Sequence, residues 1–515
     1  MQNWRTFTSG TLVFLIAVVA LTCAVVAQGD GTLRIGIETS LGSMDPMGNA
    51  VTTSLSAMRN IYDGFFERSA DGTIMPGLVD SWERIDQLTW RLHAREGVSF
   101  HNGNPLTAAD LKFTLERTAT YQQSEYQEVG GAIDRIDLVD DFTLDVFTKN
   151  PNPIFPSSIY SLAVMDQEWT TSNDDAYVST HAMGTGAYKF AEWVPEDHLT
   201  LEANPGYWRG APSIQRVEFR PISDEATRLA ALESGDVDLI TFVPIESIER
   251  LEENSDIDII AQPADRMIFL GFEHSEGYPT ADLRVRQAMY MAINIDEIIE
   301  VIWDGYATPA TTIVAGPESA YPGFDGTMDR QFAYSPERAR ELLAEAGYPN
   351  GFEITLDSVF DRYPKDEQVS LAVTTYLRQV GIECLLNVRS RSVHFGEIMN
   401  AETDFWLTGW REGSYDLYEA FAQHIMTRDP NGSQGGWNAG WYSNADVDRL
   451  CVEANQALSA DERADLLKQA NRIAMEDIAV IPLYAQYDIY GARAGLINFT
   501  PRSDMYIIVR DISFK

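Results

Sequence analysis

The sequence predicts an α/β chain of two large lobes, on three observations. At 515 residues it is too long for one compact core, since single cores stop growing near ~250 to 300 residues. Strands with a two-residue apolar period alternate with helices that open on recognisable caps. The composition, 45% hydrophobic and 22% charged, is that of a globular protein and not of a disordered one.

The elements follow in order. Arg5 supplies a positive start, Thr11 to Val26 is apolar, and Val25-Val26-Ala27 ends the run with small residues. That pattern predicts a secretory signal peptide over 1–27, cleaved before Gln28. The run is shorter than the ~20 residues of a spanning helix. Lipid attachment at Cys23 is the alternative, but Ala20-Leu21-Thr22 departs from the Leu-x-Gly/Ala pattern that precedes such a cysteine. Arg5 is the only charged residue in the segment, so its removal takes the formal net charge from −39 to −40. Such a chain repels phosphate backbones, which excludes nucleic acid as a partner. Cys384 and Cys451 remain, one in an expected strand and one in an expected helix; a bridge and two buried thiols both stay open.

Leu33 to Ile37 alternates like a strand and leads to a turn at Ser43-Met44-Asp45-Pro46. From Asp80 to Arg117 come a strand with Trp90 and Leu92 opposite Arg91 and His93, a turn at Asn102-Gly103, and a helix opened by a capping box from Thr107 to Asp110. From Gly184 to Ile240 come strands at Tyr188 to Trp193, His198 to Ala203 and Val217 to Pro221, then a helix from about Asp224 to Glu233 ending at Gly235. Ser335-Pro336 opens another helix, which ends at Gly347, and Ser459 with Glu462 opens one more.

The order and wording of Asp80 to Arg117 and of Gly184 to Ile240 resemble the bacterial solute-binding proteins of family 5, which deliver peptides, nickel complexes, opines and related solutes to ABC importers. The resemblance runs over nearly all of residues 31 to 515. It implies a type II-like (cluster C) periplasmic binding protein fold, two lobes joined by a two-segment hinge, with an extra subdomain in lobe I. The implied division is 28–270 for lobe I, including a subdomain of about 65–185, then 271–482 for lobe II and 483–515 for the return. Arg266 to Phe272 and Ile478 to Tyr490 become the two crossovers. The Asp45-Pro46 turn lies near the cleft mouth in the family, which makes Met44 a candidate contact.

The motifs of the common enzyme chemistries are absent from the sequence. The chain has no phosphate loop, His-Glu-x-x-His helix, Cys-x-x-Cys pair or Gly-x-Ser-x-Gly elbow. Its seven histidines are scattered singly; His424 is kept in view because some family members hold nickel complexes through a histidine. Neither a catalytic step, a cofactor nor a resident metal is expected.

Phe405 to Asp416 turns abruptly from apolar to polar, as a strand entering a cleft-edge loop does. In peptide-binding branches of the family an aspartate three residues after the corresponding tryptophan pairs with the peptide amine; here that position is Gly413. A desolvated ammonium needs a counter-charge. Glu412 or Asp416 supplies it from another direction, or the solute has no free amino terminus. Trp410, Arg411 and Tyr415 belong to the same edge. Arg389, Arg391 and Arg411 are set to receive a ligand carboxylate or to neutralise nearby acids. Trp437, in a glycine-rich loop, is set for stacking or packing.

The expected function is thus a monomeric periplasmic receptor that binds a di- or oligopeptide or related solute and presents it to ABC permease subunits. A non-peptide solute (oligosaccharide, opine or nickel complex) is the alternative, and a secreted hydrolase a remote one.

Overall fold

The computed structural model describes residues 31–49, 51–69, 72–315, 332–360, 362–411, 413–430, 432 and 434–515. The expected signal peptide, with Cys23, and Glu412 lie outside the described residues. The strands of the main sheet are β1 (Thr32–Ile37), β2 (Tyr188–Val194), β3 (His198–Ala203), β4 (Arg216–Pro221), β5 (Leu239–Ile240), β6 (Ile257–Phe272), β7 (Ala307–Pro309), β8 (Glu353–Val359), β9 (Glu383–Arg389), β10 (Phe405–Arg411) and β11 (Ile481–Arg493). Their order is β9-β8-β10-β6-β11-β5-β1-β4-β3-β2, with β7 also paired to β11. A separate four-stranded sheet joins Val79–Arg84, Thr89–Ala94, Thr143–Thr148 and Ile133–Leu138.

The two-lobe architecture follows from β6 and β11. They run antiparallel along nearly their whole length, and each feeds two cores. Ile268 to Phe272 and Ile481 to Tyr484 pack with β8, β9 and β10. At the other end Tyr490 and Ala492 pack with Leu33, Ile35, Tyr188, Leu199 and Phe219. A third core beneath the four-stranded sheet gathers Trp90, Leu92, Leu111 and Leu115. Each large side chain buried in these cores contributes about 1.5 to 3 kcal/mol.

The local readings hold where they rest on caps. Trp90 and Leu92 are buried while Arg91 and His93 are partly exposed. Thr107 and Asp110 form the capping box of helix Ala108–Thr120. Asp224 caps Glu225–Ser234, and Gly235 closes that helix at φ 80°. Ser335 and Ser459 each cap the helix expected of them. The crossovers differ from expectation in extent. β6 begins at Ile257, nine residues before Arg266, because Asp258 and Gln262 interrupt its apolar pattern while still pairing with Ala492 and Asp488 of β11. A break in its register between Pro263 and Met267 marks a bulge.

The Asp45-Pro46 turn is fixed from within. Arg117, in the last turn of helix Ala108–Thr120, donates to both carboxylate oxygens of Asp45, at 3.0 and 2.7 Å, with both side chains buried. Met44 is fully buried in the core beside it, its amide bound to Ser179 O at 2.8 Å. Truncating one partner of such a pair strands a buried charge, so Asp45→Ala is expected to cost about 3 to 5 kcal/mol in urea unfolding. A loss below about 1 kcal/mol would place the pair with exposed ones.

Candidate functional site

Between the two cores, β10, β6 and β11 lie side by side and put charged side chains where their apolar neighbours leave off. Arg411 of β10 pairs with Arg266 of β6, and Met267 with Ala485 of β11, while Asp488 of β11 pairs with Gln262 of β6 beyond the break in register between Pro263 and Met267. Directly opposed residues of antiparallel strands face the same way. Arg411 and Arg266 therefore form one row, and Gln486 and Asp488, two positions apart, share a face of the neighbouring β11. Below the row Gly409 and Ile268 pair and enter the second-lobe core. Tyr363 packs over Gly409, where an added Cβ would lie 2.8 Å from its ring, and donates its hydroxyl to Gly409 O at 2.9 Å.

Arg411 is spoken for. It donates through Nε to Asp265, through Nη1 to Thr52 Oγ1 and through Nη2 to Ser503 O, both at 3.3 Å. These contacts join the second-lobe strand β10 to residues packed with the first lobe. A cavity of about 510 Å³ opens here, lined by Thr52, Tyr126, Asp265, Arg411, Gly413, Glu419 and Asp504 among others.

Arg266 differs: it makes no hydrogen bond or ion pair among the described residues. Burial, reinforced by the guanidinium groups of Arg362 and Arg411, pulls it down to about 10. Gln486 and Asp488 are 6% and 9% exposed, yet Gln486 Nε2 and Asp488 Oδ2 have no partner. Burial pushes the Asp488 carboxyl up to about 7, against the pull of Arg411. Buried polar groups are ordinarily satisfied; others without a partner, such as Tyr188 Oη, Trp303 Nε1 and Arg463 Nη1, are spread through the lobes.

The loop after β10 is held across the lobes. Arg68 donates to Gly413 O at 2.9 Å and Ser414 O at 3.1 Å. Its guanidinium lies between the rings of Tyr160 and Tyr415, at 3.7 and 4.1 Å from their centroids. Tyr415, at φ 56°, donates its hydroxyl to Ser503 Oγ at 2.9 Å.

The other residues singled out in the sequence are dispersed. Asp416, 2% exposed, caps helix Leu417–His424 and accepts from Arg463 Nη2 at 2.9 Å. Its carboxylate is committed inside the second lobe. Trp410, half-buried, meets His424 at 4.5 Å and Trp437 at 5.9 Å between centroids, an aromatic cluster within the same lobe. Burial pushes His424 down to about 3. Arg391 is exposed at the start of helix Arg391–Asn400, and Arg389 reaches Glu397 at 3.5 Å. Cys384 and Cys451 are separate buried thiols, each pushed up to about 12 by burial. Among the described residues no group of His, Cys, Asp and Glu is arranged to hold a metal, and no helix is long and apolar enough to cross a membrane.

Arg266, Gln486 and Asp488 were missed because they sit within apolar runs read only as crossovers. The signal was present in Gln486 and Asp488, two polar residues spaced by two in an otherwise apolar strand.

Residues 73–430 match the family description "Bacterial extracellular solute-binding proteins, family 5 Middle". The glutathione-binding protein GsiB of Pectobacterium atrosepticum is 29% identical over 455 residues, covering 86% of each chain. Among solved structures, HbpA2 of Haemophilus parasuis superposes with a TM-score of 0.85 at 22% identity over 94% of this chain and 100% of that one. DppA of Helicobacter pylori, in complex with the peptide STSA, gives 0.73 at 23% over 94% and 98%.

The raised Asp488 carboxyl predicts a pH signature. Its folded value of about 7 exceeds the ordinary aspartate value of 3.8. Its contribution to stability is therefore complete below pH ~4 and lost as pH rises toward 7, at up to roughly 1.4 kcal/mol per unit. Asp488→Asn removes that loss, so its stability relative to wild type is expected to grow between pH 5 and pH 8 in urea unfolding. A difference independent of pH would count against a buried, unpaired carboxyl at this position.

Proposed function

The chain belongs to the bacterial extracellular solute-binding proteins of family 5, and from that premise we propose that it is an exported, monomeric receptor which closes its lobes on one amino-acid-derived solute and presents it to an ABC permease in the membrane, without a chemical step. The observation that carries the choice of solute is the row on the crossover strands. Arg266 offers a guanidinium whose side chain makes no ion pair among the described residues, and Asp488 a buried carboxylate oxygen with no hydrogen-bond partner, each within reach of the other's charge. A solute bearing both charges answers both. The curated relatives are glutathione-binding proteins, which agrees with a peptide-like solute, and Gly413 agrees with an amine received elsewhere than in the loop after β10.

Lobe I is assigned to 28–270, with its inserted subdomain at about 65–185, lobe II to 271–482, and 483–515 to the return. The cores support this division, since Leu33 and Val217 share one with Tyr490 while Val285 and Leu356 share another with Ile481. The periplasm is the assigned location, with the signal at 1–27 removed. Closure requires the solute to favour the closed state through contacts with both lobes; Arg411, which already meets Thr52 and Ser503, is assigned to that joint with Tyr415. Asp416, Trp410 and Trp437 are assigned to shaping the second lobe, Met44 to the first-lobe core, and Arg391 to the solvated surface.

Native mass spectrometry of the purified protein tests the reading: one bound small solute carrying an ammonium and a carboxylate is expected. A sugar or a nickel complex in the cleft would favour the non-peptide alternative, and turnover of the solute would revive the hydrolase. If Asp488 receives the ammonium, binding expels its proton. Affinity is then expected to fall by up to about ten-fold per pH unit below 7, and calorimetry at pH 6 and pH 8 would show whether that slope vanishes in Asp488→Asn. Asp416→Ala is expected to lower stability by about 3 to 5 kcal/mol by leaving Arg463 unpaired, with the preference among solutes unchanged in a thermal-shift panel.

A further inference from the structure

The two lobes also meet outside the main sheet. Strands Val79–Arg84 and Thr89–Ala94 of the four-stranded sheet are joined by a turn, and the second lobe's helix Ala445–Gln456 ends beside it. Arg84 Nη1 donates to Ala457 O at 2.7 Å, and Gln87 Nε2 donates to Gln456 O at 3.3 Å. In the opposite direction Asn455 Nδ2 donates to Pro151 O at 3.1 Å. Three side chains thus grip main-chain carbonyls across one seam, and none of them stands on a crossover strand.

Each side of the seam is rigid by itself. Arg84 is held in its own turn by Nη2 to Gln87 O at 3.2 Å, and it pairs across the strands with Trp90. Trp90 Nε1 donates to Asn152 O at 2.9 Å, which fixes the segment carrying Pro151 to the same sheet. On the other side Leu450, Cys451 and Ala454 bury the helix in one core with Leu467 and Ala470. That helix has no basic residue in its last turn, so it presents carbonyls at the negative pole of its dipole without a cation of its own. Arg84 supplies one from the other lobe. The acceptors are main chain and the donors lie on partly or fully exposed side chains. Parting the lobes therefore returns these groups to water and strands no buried charge, as suits contacts that form and break reversibly.

Behind the seam lies a cavity of about 340 Å³, lined by Trp82, Arg84, Trp90, Ile154, Ser414 and Ala457 among others. Ile154, Ser157 and Ser414 also line the 510 Å³ cavity at Arg411, so the bond from Arg84 to Ala457 closes a wall of a space that adjoins the cleft. Resting on the receptor reading above, we infer that this seam is a latch: contacts between the inserted subdomain and helix Ala445–Gln456 favour the closed arrangement of the lobes with no solute present. A receptor whose closed state is already populated loses less affinity to the cost of closing.

Lobe separation is the quantity to measure. Without the segment 1–27 the cysteines are Cys384 and Cys451, both buried. Leu138→Cys in the subdomain and Leu371→Cys in the second lobe, at exposed positions, therefore take spin labels selectively. In protein freed of solute by unfolding and refolding, pulsed dipolar spectroscopy is expected to find a shorter and a longer separation. Arg84→Met keeps the stem and removes the donors, and should lower the short-to-long ratio about ten-fold. Asn455→Ala should lower it less, and Arg84→Lys, which keeps a cation at the helix end, should retain part of it. Circular dichroism and melting temperature confirm that the variants fold. A ratio unchanged by Arg84→Met and by Asn455→Ala, or a single long separation in the solute-free protein, overturns the latch. If protein purified with its solute still differs in separation from the refolded protein, solute-driven closure stands without the latch. One separation under every condition, with no solute released, sinks the receptor reading as well.

Discussion

The pairing of β6 with β11 is the constraint on which the rest depends. Two antiparallel strands, each entering two cores, tie the lobes together by main-chain hydrogen bonds that solvent does not break. A pair of this kind has to be apolar at its ends, where it is buried in each lobe, and is free to be polar only in between. The bulge from Pro263 to Met267 falls in that interval and turns the strand locally. Asp265, within it, accepts a hydrogen bond from Arg411 Nε.

Charge in this acidic chain is handled in two distinct ways. Inside the lobes it is compensated: Arg117 meets Asp45, Arg463 meets Asp416, and Arg510 meets Glu67 at 2.7 Å and Asp63 at 3.6 Å. Arg68 meets two carbonyl oxygens and two aromatic faces instead of an acid, and so fastens the loop after β10 to the first lobe. Between the lobes Arg411 and Arg266 both act on the Asp488 carboxyl, one oxygen of which is buried without a hydrogen-bond partner. Buried groups left without a partner cost stability.

What was legible in the sequence was what short-range chemistry encodes. The capping box at Thr107, the left-handed closure at Gly235 and the serine caps at 335 and 459 each depend on a few consecutive residues, and each appears where the pattern put it. The candidate site was legible only in part. Arg411 and Gly413 were found because a strand turns polar there. Asp416 was read as a ligand for an amine, and nothing local distinguishes that from its observed use as a helix cap paired with Arg463, 47 residues away.

By itself the sequence determined the class of fold, the number of lobes, the start and stop of its helices and, by resemblance, the family, because these rest on composition, periodicity and contiguous wording. Only the tertiary structure decided which charges are spent and which are open. Arg266 and Asp488 lie more than two hundred residues apart, and each looks like an interruption in an apolar run. Folding alone brings them within reach of each other's charge on the two crossover strands, and the buried carboxylate oxygen of Asp488 without a hydrogen-bond partner is something no linear pattern records.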